Sequence, residues 1–192
     1  KSMVAERTWS RFATSFSSRF PSIEDFDIQC HAASGGQEWK RLCDTETKAP
    51  FSPYNRRVMY QTYYGIRDLL QPLVLLGKIN VPPTHLDASD LPCLLEVCPA
   101  GSFKTLGLYK PPYKGRTRAH YDARSHILKT VENSCSIAIP SPALRDTILS
   151  NTRGDALDSV LAAVVTAKTI NSPAHIDAKS GDPYCVEGCI YV

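Results

Sequence analysis

Long hydrophobic runs are missing from this chain of 192 residues. The two longest, Leu69–Leu76 and Val160–Val165, fall well short of the ~20 apolar residues a membrane span needs, and Gln71 and Pro72 interrupt the first. No membrane partner is expected. Charge of one sign is also scarce. A net charge of +3 and a pI near 8.5 do not by themselves argue for nucleic acid, although they leave room for a local basic patch. Internal repeats and low-complexity tracts are absent. So are a glycine-rich phosphate loop, a nucleophile elbow and a dinucleotide fingerprint, which weighs against a small-molecule phosphotransferase. Zinc finds no suitable spacing. On one face of a strand, Cys185 and Cys189 lie roughly 13 Å apart at ~3.3 Å per residue, too far for one tetrahedral ion. The chain opens at Lys1 with no signal peptide, which fits a processed product or part of a longer chain.

What is present is ordinary globular composition, 43% hydrophobic and 21% charged, of a length that suits one domain. The seven cysteines are odd in number, so a reduced, cytoplasmic setting fits better than a disulfide scaffold.

Periodicity supplies the elements. Trp9, Phe12, Ala13, Phe16 and Phe20 recur at helical spacing, which predicts a helix over Ser2–Phe20 ended by Pro21. Phe26–Cys30 reads as a short strand. A helical piece is expected around Trp39–Cys43. Asn55 caps a helix to about Gln71, with Val58, Thr62, Ile66, Leu69, Leu70 and Leu73 inward. Leu91–Val97, apolar except for Glu96, suits a central strand buried on both faces. Helices follow over about 117–133, 145–149 and 155–168, and Cys185–Val192 reads as a last strand. This alternation argues for a sheet covered by helices.

Several residues carry chemistry in this scheme. Glu96 ends the presumed central strand, where an unpaired carboxylate costs on the order of several kcal/mol. It is either a site residue or the partner of an arginine. Asp155 and Asp158 share one face at a helix start, either as ligands or as caps that complement the helix dipole. Together with Glu96 they make a hard-oxygen set for Mg²⁺ or Mn²⁺. Lys104, Lys110, Lys114, Arg116 and Arg118 alternate with Phe103, Tyr109 and Tyr113. Such a loop can track phosphates and stack bases, or it is simply solvated. Lys40, Arg41 and Asp44, and the Arg56–Arg57 pair that opens a helix, are further candidates for holding phosphate.

Four short motifs, in order, resemble a known family. Arg41-Leu42-Cys43-Asp44, Leu94-Leu95-Glu96-Val97-Cys98-Pro99, Asp155-Ala156-Leu157-Asp158 and Glu187-Gly188-Cys189-Ile190 are similar to segments of the domain of unknown function 429 family, described as predicted nucleases of ribonuclease H-like fold. The resemblance covers the chain from about Phe26 onward. It implies an α/β fold, a ribonuclease H-like mixed sheet covered by helices, with the first strands missing from this chain and their aspartate with them. It also implies a metal-dependent nuclease or phosphodiesterase, with Glu96, Asp155 and Asp158 as catalytic metal ligands for two Mg²⁺ or Mn²⁺ ions. Arg41, Asp44, Lys104, Lys110, Lys114 and Arg116 would then meet the substrate. The alternative is a non-catalytic domain that binds nucleic acid or protein. An uncovered sheet edge would call for a second copy or a partner chain.

Overall fold

A computed structural model describes residues 8–50, 54–86, 90–108, 112–172, 176, 181 and 183–192. The fold is mostly helical, 61% helix, and this overturns the ribonuclease H-like mixed sheet. The helices are α1 (Trp9–Arg19), α2 (Ile23–Ser34), α3 (Leu42–Thr47), α4 (Arg56–Tyr64), a π-helical stretch (Gly65–Leu70), α5 (Gln71–Leu75), α6 (Pro99–Thr105), α7 (Arg118–Cys135), α8 (Pro142–Ser150), α9 (Asp155–Ile170) and α10 (Tyr184–Glu187). Isolated bridges pair Asn80 with Cys93, Val81 with His85, and Val97 with Tyr191.

Three predicted strands are corrected. Phe26–Cys30 lies inside α2, because Ser22 and Asp25 form a capping box that starts a helix there, and Phe26 and Cys30 then bury together one turn apart. The segment 91–97 is no buried central strand. Its only bridges are at Cys93 and Val97, and Cys93, Leu94 and Glu96 are exposed. Tyr184–Glu187 is a helical turn, and only Tyr191 of the presumed last strand makes a bridge.

The chain forms two compact units, Lys1–Glu96 with Ser172–Ile190, and Val97–Asn171 with Tyr191–Val192. Aromatic packing organises the first. Phe16, Phe20, Phe26 and Tyr63 are buried with Ile23, Cys30 and Met59. The Phe16 ring lies 5.1 Å from Phe20 and 5.6 Å from both Phe26 and Tyr63. The Tyr63 hydroxyl donates to the Phe20 carbonyl at 3.0 Å, so the polar end of the ring is satisfied at the C-terminus of α1. Helices α4 and α5 and the π stretch run without a break from 56 to 75. The π winding has a cause in Pro72, which has no N–H for the Asp68 carbonyl and whose ring would crowd it in α geometry. The buried face is Met59, Tyr63, Gln71 and Val74; the expected Ile66 packs partly buried against the same core, the expected Val58 and Thr62 each lie one position off that face, and Leu69 is exposed.

In the second unit α6, α7 and α8 pack on α9. Phe103, Ile127, Leu128, Ile148, Leu157 and Leu161 form the buried interior. Thr117 caps α7, and Ser141 caps α8 by accepting from the Leu144 N–H at 3.1 Å.

Phe16, fully buried amid the rings of Phe12, Phe20, Phe26 and Tyr63, is the test of the first unit. Phe16→Ala is expected to cost about 3–5 kcal/mol of stability in urea denaturation. A loss under about 1 kcal/mol, the scale of surface changes, would show that the aromatic cluster is not the core.

Candidate functional site: an arginine clamp and an aspartate tether

The first unit centres its charge on Arg41. The Arg41 backbone N–H donates to Asp44 Oδ2 at 3.0 Å, the reciprocal half of a cap at the start of α3. Its guanidinium returns to the same carboxylate, Nε to Oδ2 and Nη2 to Oδ1, both at 2.9 Å. The other edge of the fork meets Glu96, Nη1 to Oε2 and Nη2 to Oε1, both at 2.7 Å. One planar cation thus holds two carboxylates bidentately, a geometry lysine cannot reproduce. Asp44 is 1% exposed while the Glu96 side chain is 50% exposed, so the two pairs differ in kind. Burial disfavours the charged form of Arg41, but the hydrogen bonds it donates to Glu96 and Asp44 outweigh this, and the guanidinium is held more firmly charged than usual.

The chain's late segment joins this node. Glu187 Oε2 accepts the Leu42 N–H at 3.0 Å, and Tyr184 donates to Glu46 Oε1 at 2.6 Å. Gly188 has φ of 86°, and a Cβ there would stand 3.4 Å from Arg41 Nη1. The Cys43 thiol, covered at the same place, points to the Gly188 carbonyl at 3.7 Å. Burial pushes this thiol up to about 12, with Arg41 opposing and Asp44 and Glu96 assisting.

Asp158 belongs to the second unit, on the first turn of α9. Its Oδ1 accepts from the Tyr113 hydroxyl at 2.6 Å and its Oδ2 from Lys114 Nζ at 2.7 Å. Gly154 precedes the helix with φ of 79°, and a Cβ there would meet the Tyr113 ring at 2.7 Å, so glycine is what lets the ring lie against the helix start. Nearby, Arg124 is only 2% exposed and has no carboxylate partner among the described residues. It donates instead to the carbonyls of Leu149 at 2.7 Å, Tyr113 at 2.6 Å and Gly115 at 3.1 Å, which fixes the loop that carries Tyr113 and Lys114. Asp155 is exposed at the first position of α9, where it complements the helix dipole.

Three of the four motif segments, 41–44, 96 and 187–188, therefore meet around Arg41, and the fourth holds Tyr113 and Lys114 in the other unit. No protein family, curated protein or solved structure matches the chain. The expected metal set does not fit this arrangement. Both oxygens of Glu96 accept from Arg41, and both of Asp158 accept from Tyr113 and Lys114. Among the described residues no three His, Cys, Asp or Glu side chains group to hold an ion. The basic loop is altered too. Lys104 and Arg116 are exposed, but Lys114 is tied to Asp158 and Lys110 lies outside the described residues. Phe103 and Tyr113 are buried against each other with centroids 5.1 Å apart, so they cannot stack on bases. Sequence reasoning missed Glu187, Tyr113 and Arg124 as members of these networks. A lone arginine inside an amphipathic helix gives no sign that it will meet carbonyls.

Two outcomes follow. Arg41→Met leaves the buried Asp44 carboxylate without its cation and should cost about 3–5 kcal/mol, whereas Glu96→Gln, at a half-exposed pair, should cost about 1 kcal/mol or less. Equal losses in urea denaturation would refute the division of roles. The Cys43 thiol gives the second. Its folded pKa stands above the ordinary 9.0 at about 12, so the stability it contributes is intact below pH 9 and is lost as pH rises toward 12. Urea midpoints should fall over that interval less steeply in Cys43→Ala than in the native chain. Parallel falls would contradict the burial assigned to this thiol.

Proposed function

We propose that the chain is a non-catalytic binding domain whose partner is another protein. The observation that carries this reading is the commitment of Glu96 and Asp158. The two carboxylates best placed for phosphodiester chemistry each have both oxygens engaged by cationic or hydroxyl donors, and they act as struts. Removing Arg41 from Glu96 would also uncover the charge on Asp44. A general base or a metal ligand in this position would therefore work against the stability of its own fold.

A protein partner is favoured over nucleic acid by where the aromatic side chains lie. Phe103 and Tyr113, which a strand-tracking groove would need on the surface, are buried. In the first unit Tyr60 and Tyr64 are exposed and stacked, 6.4 Å between centroids, and Leu75, at the end of the same continuous helix, and Leu76, just beyond it, are 62% and 66% exposed. Clustered apolar exposure of this kind marks protein contact surfaces.

The test is a melting titration with Mg²⁺ and Mn²⁺, run on the native chain and on Glu96→Gln, alongside cleavage assays on labelled single- and double-stranded substrates. The expected result is no cleavage and the same metal response in both proteins. A manganese-dependent rise in Tm that Glu96→Gln abolishes, accompanied by cleavage, would restore the nuclease reading. Steeply salt-dependent binding of the labelled strands without cleavage would move the partner to nucleic acid.

A further inference from the structure

A cleft of about 330 Å³ opens in the first unit between α2 and the start of α4, lined by Asp27, Ile28, His31, Tyr54 and Arg56. That is at the small end of ligand-sized cavities. Its chemistry is asymmetric. On α2, His31 Nδ1 lies 2.9 Å from Asp27 Oδ1 and 2.9 Å from the Asp27 carbonyl, so the histidine takes up the aspartate on the helix side and leaves Nε2 as the remaining ring nitrogen. The His31 ring meets Tyr54 edge-on, with centroids 5.2 Å apart. Opposite stands Arg56, exposed and without an ion-pair partner among the described residues. Its backbone N–H precedes the first helical hydrogen bonds of α4, made by Val58 and Met59 to the Asn55 carbonyl at 3.0 Å. The cleft therefore sets the Arg56 guanidinium, the cationic group of its lining, beside an aromatic ring and the aliphatic wall of Ile28, with the Asp27 carboxylate drawn onto His31.

We propose that this cleft binds a small organic phosphate, the phosphate on the Arg56 fork and the organic group between Tyr54 and Ile28. A planar guanidinium pairs bidentately with phosphate oxygens, and the α4 start adds a favourable dipole. The ring and the aliphatic wall select an esterified phosphate over the bare ion. This site is independent of the Arg41 node and of the protein-binding role.

The experiment is calorimetric titration of the whole chain with phenyl phosphate and, separately, with inorganic phosphate, repeated on Arg56→Gln. Arg56 lies on the surface of the first turn, so the variant should melt like the native protein. Phenyl phosphate should bind saturably and more tightly than inorganic phosphate, and Arg56→Gln should weaken it by roughly tenfold, the scale of a lost charge-assisted pair. No saturable binding, or equal binding by Arg56→Gln, would overturn the site. Equal affinity for the two probes would overturn the organic half of the assignment.

Discussion

The guanidinium of Arg41 is the constraint on which the first unit depends. It lets a fully buried aspartate exist at the start of a six-residue helix, and it fastens Glu96 to that helix. The Asp44 pair is not optional in the way a surface ion pair is. A carboxylate as enclosed as Asp44 costs more than its hydrogen bonds return unless a cation shares the enclosure. Once Arg41 is fixed by Asp44, its outer edge is pre-set, and Glu96 closes on it with little further ordering. Glu187 and Tyr184 then dock on α3 from more than a hundred residues away in sequence. A clasp of this type holds parts of the chain that no shared element of secondary structure joins.

The second unit answers the same problem differently. Its buried cation, Arg124, is compensated by carbonyl oxygens rather than by a carboxylate, and its carboxylate, Asp158, is compensated by a phenol and an ammonium. Carbonyl dipoles suit a guanidinium at a loop because they leave it charged while they fix main-chain positions. The result is a rigid 113–115 segment against the start of α9. The buried charges Asp44 and Arg124 are thus matched to neighbours inside the fold, while apolar and aromatic side chains on α4 and α5 and the arginine over the cleft are exposed.

Helices with a clear period were legible in the sequence. The aromatic stripe from Phe12 to Phe20, the stretch that follows Asn55, and Asp155 onward all appear as helices, α4 beginning at Arg56 and α9 at Asp155. Strands were not legible, for identifiable reasons. Phe26–Cys30 is too short for its apolar pattern to separate helix from strand, and the decisive signal was the Ser22–Asp25 box just before it. Leu91–Val97 looked like a buried strand because its residues are apolar, yet apolarity does not create a neighbouring strand, and among the described residues the segment makes single bridges, Cys93 to Asn80 and Val97 to Tyr191. For the site, the short motifs around Arg41 marked residues that do come together, and the arginine partner of Glu96 was foreseen as the structural alternative. What sequence could not supply was orientation, namely that the fork of Arg41 would engage both acids at once and bury one of them.

The π stretch at 65–70 sets how one helix divides its attention. In plain α geometry, residues eight apart sit about 80° from each other around the axis. The wider winding closes most of that gap, so Gln71 faces nearly the same side as Tyr63. Tyr63 can then reach the Phe20 carbonyl, while Gln71 donates to the Thr14 carbonyl at 2.6 Å and accepts from Ser17. A single helix thereby grips α1 at both its middle and its end. Rewound to uniform α geometry it would hold one of those points and swing away from the other, so an irregularity imposed by Pro72 works as a phase correction between two docking positions.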